Sequence, residues 1–101
     1  MRTVQNTTST ARRAEFQQIA ARTLDAALSE RELEAFAQLL KEVVRARGGF
    51  SAVARKTGLN RTALYRTLSA GGDPRLNTLI VLLPVVGLRL AVEPLDKSES
   101  G

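Results

Sequence analysis

Residues 50–69, FSAVARKTGLNRTALYRTLS, read as a helix, a tight turn and a second helix. Val53 and Ala54 fall in the first helix. The second must cross it closely, and a small side chain such as Ala54 suits the crossing. Gly58 occupies the turn, where a Cβ would be penalised. Leu59 follows as a plug into the core. Asn60 is a good N-cap, because its side-chain oxygen can accept a free N–H of the first turn. Leu64 and Leu68 share a buried face at i, i+4. Arg61, Thr62, Tyr65 and Arg66 share the outer face by the same spacing. A short helix with that outer face, starting just after a glycine turn, is what a helix-turn-helix presents to the DNA major groove.

Charge supports this reading. The chain has 101 residues and a net charge of +5. Residues 45–75 carry Arg45, Arg47, Arg55, Lys56, Arg61, Arg66 and Arg75 against Asp73 alone. The rest of the chain is therefore close to neutral. Basic residues concentrated on and beside one motif are the footprint of a protein that meets phosphates.

Working back toward the N-terminus, residues 30–47 read as a helix with Leu33, Phe36, Ala37, Leu40, Val43 and Val44 on one face. Its acidic start and basic end suit the helix dipole, and Gly48-Gly49 ends it. The acidic end argues against this helix as a DNA surface. Residues 10–28 form an N-terminal amphipathic helix, with Phe16, Ile19 or Ala20, Leu24, Ala27 and Leu28 as its apolar stripe. That stripe packs either into the core or onto a partner. Ser29 and Glu32 make a capping box for a second helix; the alternative is one unbroken helix. Residues 1–9 are polar and read as a disordered arm.

Beyond the motif, Ala70-Gly71-Gly72-Asp73-Pro74 is a breaker. Asp73 can cap a further helix with Pro74 at its first position. That helix runs through Leu76, Leu79, Ile80, Leu82 and Leu83, apolar enough to expect burial on most sides. Pro84 bends or ends it near Leu83. Leu88 to Val92 alternates as a short C-terminal β-strand, which needs a partner such as the same strand of a second subunit. Residues 96–101 read as a disordered tail. The expected architecture is all-α, with four to five helices and that strand, residues 29–95 forming the DNA-binding domain.

Several function classes recede. Without His or Cys, nucleophile–base pairs that depend on them cannot be built. Disulfides are excluded, and the commonest metal ligand is missing. Neither Gly48-Gly49 nor Gly71-Gly72 has the flanks of a phosphate-binding loop. We expect no enzyme, no metal and no cofactor. No apolar run is long enough to span a membrane. The N-terminus lacks the apolar region of a secretory signal, so a cytoplasmic location is the default expectation.

The stretch from Arg45 to Val92, RARGGFSAVARKTGLNRTALYRTLSAGGDPRLNTLIVLLPVVGLRLAV, resembles the helix-turn-helix addiction-module antidote proteins. These are antitoxin-type regulators related to the phage-repressor (Cro/C1-like) domain. The resemblance rests on VRARG, the VAR and TGLNR segments, LYRTLS, the GGDP turn and the terminal GLRLAV. It departs from the family at Asp73, where an Asn is usual, and at Pro84, where the helix usually continues. The resemblance implies a homodimeric repressor of its own promoter and a partner toxin, typically a small RelE-like ribonuclease. It makes Asn60, Arg61, Thr62, Tyr65 and Arg66 the DNA-facing set. From the residues themselves, Arg61, Thr62, Tyr65 and Arg66 are expected to reach base edges or nearby phosphates. Ser51, Arg55, Asn60 and Arg75 are expected to hold the backbone of double-stranded DNA.

Overall fold

The computed structural model describes the backbone of residues 2–69, 71 and 73–95, with side chains from Ala11 onward. Five helices follow in order: α1 (Arg2–Ser29), α2 (Leu33–Ala46), α3 (Gly49–Thr57), α4 (Arg61–Leu68) and α5 (Leu76–Val85). The tail expected at 96–101 lies outside the described residues. No described helix is long and apolar enough to cross a membrane.

Helix α2 is the hub. It packs on α1, α3 and α4, while α3 also packs on α4 and α5. Phe36, Ala37, Leu40, Val43 and Val44 form its buried face, the 3–4 spacing read from the sequence. All of these but Ala37 share one core with Phe50 and Val53 of α3, Leu64 and Leu68 of α4, and Leu79, Leu82 and Leu83 of α5. Leu40, Val44, Val53, Leu68, Leu82 and Val86 are wholly enclosed. Leu33, expected on the same stripe, is exposed at the first residue of α2.

Helix α1 extends back to Arg2, over the segment expected to be an arm. No Gly or Pro interrupts residues 2–28, and once a helix is nucleated each added residue gains a hydrogen bond. Its apolar stripe divides. Ala20, Leu24 and Ala27 join the core, whereas Phe16, Ile19 and Leu28 remain exposed. The core takes mostly small residues from α1, which lets its backbone approach closely.

The junction between α1 and α2 differs from the capping box expected of Ser29 and Glu32. Ser29 is the last residue of α1 instead, and Glu32, the N-cap of α2, makes no side-chain capping bond. The turn closes from the other side. The Glu32 N–H donates to the Ala27 carbonyl at 2.8 Å, and the Arg31 N–H to Leu28 at 3.0 Å. This is the Schellman arrangement, which requires a left-handed residue between the helices. Arg31 supplies it at φ 59°, the sole non-glycine among the described residues with positive φ.

The same arrangement ends α5, this time on glycine. The Leu88 N–H donates to Leu83 and the Gly87 N–H to Pro84, with Gly87 at φ 84°. A Cβ on Gly87 would overlap the Gln17 side-chain amide, so this turn seats against α1. Helix α5 departs from expectation at both ends and on its surface. Asp73 does not cap it. The N-cap is Arg75, whose extended backbone (ψ 154°) separates Pro74 from the helix. Pro84 lies within the last turn, and the helix runs on to Val85. The carbonyl of Ile80 loses its N–H partner to Pro84, at a residue that is itself more than half exposed. Leu76 and Ile80 are more than half exposed, so α5 is buried on one side rather than most.

The expected C-terminal β-strand does not form among the described residues. Residues 88–95 run without regular hydrogen bonding, because no second strand is present among the described residues for them to pair with. Leu88 and Leu90 pack against the core instead.

A left-handed conformation costs a non-glycine residue about 1–2 kcal/mol. Arg31→Gly is therefore expected to stabilise the fold by about 1 kcal/mol, raising the thermal midpoint by roughly 4–8 °C in a domain of this size. Circular dichroism melting checks this, and an unchanged or lower midpoint would refute it. Asn60→Ala is expected to cost about 1 kcal/mol by removing the cap of α4, read in the same melt.

Candidate nucleic-acid interface

Helices α3 and α4 are short, and hydrogen bonds from side chains hold the turn between them. Gly58 adopts φ 77°, and its N–H reaches the Ala54 carbonyl at 2.9 Å. The Thr57 hydroxyl donates back to the Val53 carbonyl at 2.9 Å and accepts from the Leu59 N–H at 3.2 Å. Leu59 is half-buried against the core. The Asn60 side chain accepts from the Ala63 N–H at 2.8 Å, as its N-cap position requires. At the far end the Ser69 hydroxyl donates to the Tyr65 carbonyl at 2.7 Å. Ala54 is buried at the crossing.

With Leu64 and Leu68 turned inward, the outer arc of α4 is set by helical geometry. Successive side chains are about 100° apart, so Arg61, Thr62, Tyr65 and Arg66 fall within about 140° of one another. All four are exposed, as are Asn60 at the N-cap and Ser51 and Arg55 on α3. Ser51 and Arg55 are four residues apart, so they share one exposed stripe of α3, the helix that packs against α4. Arg75 is exposed too. It stands at the head of α5, which packs on α3 rather than α4, so it is the outlier of the set.

Tyr65 is held rather than free. Its ring meets the Phe50 ring edge-on, with centroids 5.1 Å apart at 65°. The ammonium of Lys41 lies 4.6 Å from the same ring centroid, within cation–π range. Lys41 thus joins the basic face from α2, the helix whose acidic start had argued against it. Sequence carried no sign of this, because the juxtaposition depends on how α2 crosses α4.

Two arginines of the basic stretch are otherwise engaged. Arg45 pairs with Glu42 at 3.1 Å on an exposed i, i+3 spacing, a contact of little energetic weight that sets a carboxylate beside the guanidinium. Arg47 is half-buried, and its buried Nη1 has no hydrogen-bond partner among the described residues. It points toward Gly87, where an added Cβ would lie 3.6 Å from that nitrogen. The exposed basic groups of residues 45–75 with no ion-pair partner among the described residues are therefore Arg55, Lys56, Arg61, Arg66 and Arg75, with Lys41 half-buried at the rim.

A concavity lies apart from this face, sharing none of its residues. It is a cavity of about 540 Å³ between α1 and the segment after α5, lined by Gln17, Leu24, Asp25, Leu28 and residues 87–91, among others. Among the described residues no group of three or more acidic side chains is arranged to hold a metal.

Comparison with known proteins gives this surface its context. Residues 6–94 match the family described as "Probable addiction module antidote protein". An uncharacterised protein of Haemophilus influenzae is 31% identical over 70 residues, which are 69% of this chain and 71% of that protein. No solved structure matches. The family match spans most of the chain, from within α1 to beyond α5, and the chain belongs to the addiction-module antidote family.

Proposed function

We propose that the protein is a sequence-specific double-stranded DNA-binding repressor, acting as a homodimeric antitoxin that regulates its own operon. Membership in an antidote family carries a toxin–antitoxin role; the DNA-binding half of the reading is ours. The observation that supports it is the outer arc of α4, where Arg61, Thr62, Tyr65 and Arg66 stand exposed beyond a turn closed by Gly58 and Asn60.

In this reading α4 enters the major groove with its N-terminal turn foremost. Arg61 and Arg66 carry planar donor pairs suited to guanine O6 and N7. Thr62 offers a hydroxyl and a methyl to base edges. Ser51, Asn60 and Arg55 meet backbone oxygens on one side of the groove and set the register. Lys41, steadied over Tyr65, supplies a phosphate contact on the other. Arg75 meets phosphate only if the DNA backbone passes the head of α5. A two-fold pair would present its recognition helices about 34 Å apart, one turn of DNA. The partner toxin would be a small RelE-like ribonuclease, as the family resemblance implies, and the protein would work in the cytoplasm without a cofactor.

A second reading is an interaction module that neutralises a toxin, with DNA binding secondary. The exposure of Phe16 (41%) and Ile19 (57%) on α1 favours it. Co-purification with the product of the neighbouring gene, lost in a Phe16→Ser/Ile19→Ser variant that still binds DNA, would assign that face to the toxin.

Fluorescence-anisotropy titration tests the main reading. The protein is titrated against DNA from upstream of its own gene and against shuffled DNA, at two salt concentrations. A repressor prefers the upstream DNA at both. Equal, steeply salt-sensitive binding to both would reduce the basic face to an electrostatic footprint, and binding to neither would refute the reading. Arg66→Ala is expected to weaken operator binding about tenfold or more and relax preference at one or two base positions. Lys41→Ala is expected to weaken all sequences alike and lower the salt slope by about one.

A further inference from the structure

Past Gly87 the chain runs without turn or bend from Leu88 to Leu95. Its burial alternates. Leu88 and Leu90 are half-buried against the core, while Arg89 and Ala91 are exposed. Val92 continues the inward parity yet is 100% exposed. After the Leu88 N–H, no backbone group of residues 89–95 bonds to another described residue. The segment is thus strand-patterned backbone with unpaired edges, which is a template for a second strand.

We propose that residues 89–93 form the dimer seam, pairing antiparallel with the same residues of a second copy about a two-fold axis at Ala91. This rests on the homodimer reading above and specifies its interface. The charges choose the register. With the axis at Ala91, Arg89 lies opposite Glu93 of the partner subunit, and the reverse pair repeats on the other side of the axis. Neither side chain has an ion-pair partner among the described residues, so both are available. Opposed charges on directly facing strand residues are favourable. The small Ala91 sits at the axis, where two copies of one side chain must fit. On the inward face the exposed Val92 meets Leu90 of the partner subunit, which extends each core across the seam. Moving the axis to Leu90 would face Arg89 with alanine, and moving it to Val92 would face Arg89 with leucine. Pro94, which has no N–H, ends the ladder beyond Glu93.

The chain contains no cysteine, so single introduced thiols report this register directly. At the axis, facing Cα atoms would be about 4.5 or 5.5 Å apart, according to which edge pairs. Both distances lie within the span of a disulfide. Two copies of residue 89 would be four strand positions apart, roughly 14 Å, too far to bridge.

The test combines light-scattering mass with mild oxidation of the full-length Ala91→Cys and Arg89→Cys variants. Both positions are exposed, and circular dichroism verifies that each variant is folded. The expected result is a dimer by mass, with Ala91→Cys becoming largely cross-linked and Arg89→Cys remaining single chains on a non-reducing gel. A dimer in which Ala91→Cys fails to link, or in which Arg89→Cys links as readily, would overturn the seam and leave the homodimer intact. A monomer by mass would overturn both, while the DNA titration would still judge major-groove binding separately. Charge exchange gives a second readout. Arg89→Glu is expected to raise the dimer dissociation constant about tenfold, from two reversed cross-strand pairs, and Arg89→Glu/Glu93→Arg to restore it. Equal constants for the single variant and the unaltered protein would refute the register.

Discussion

The buried face of α2 is the constraint on which the other elements depend. Leu40 and Val44 have no exposed surface, and the helix that carries them touches α1, α3 and α4. The net stability of a small domain is only about 5–15 kcal/mol, and one cluster supplies nearly all the apolar burial here. Helices of eight or nine residues such as α3 and α4 are not stable alone in water. They exist because Phe50, Val53, Leu64 and Leu68 find Leu40, Val43 and Val44 waiting. The exposed arc of α4 is therefore held in place by contacts on its opposite face.

That dependence explains why the candidate interface is economical in polar bonds. Thr57, Gly58 and Asn60 satisfy the backbone groups that the tight turn exposes, and the arginines of α4 have no ion-pair partner among the described residues. Tyr65 belongs to both sides. One face of its surroundings is the Phe50 ring at the edge of the core, and the other is the Lys41 ammonium. A side chain braced in this way loses little further freedom when a ligand arrives, which favours binding. Lys41 and the α4 arc thereby meet at one ring, although they come from different helices.

The two ends of the chain share another logic. Helix α1 and the segment after α5 meet at Gly87, whose lack of a side chain leaves room for Gln17 and brings Arg47 near. Each end also leaves apolar side chains uncovered: Phe16 and Ile19 on α1, and Val92 in the segment after α5. A family whose members are described as antidotes has a toxin to engage, and the proposed dimer adds a second copy of the chain. The two uncovered regions are chemically distinct. One is a helical face, and the other is strand-patterned backbone with complementary charges at its ends.

The sequence alone determined whatever depends on spacing within one element. The i, i+4 pairs of α2 and α4, the glycine at Gly58, the cap at Asn60 and the outward arginines of α4 all follow from bonds and side chains a few residues apart, and these are where sequence and structure agree. Other features needed the tertiary structure. Arg31 in place of a capping box, Arg47 turned inward, Lys41 over Tyr65, the division of the α1 stripe and the exposure of Leu76 and Ile80 all depend on how helices cross. Crossing geometry is set by the shape of the whole core, which no local window contains. The strand expected at residues 88–92 shows the same division. Its alternation is written in the residues, but a strand is completed by its neighbour, and among the described residues there is none.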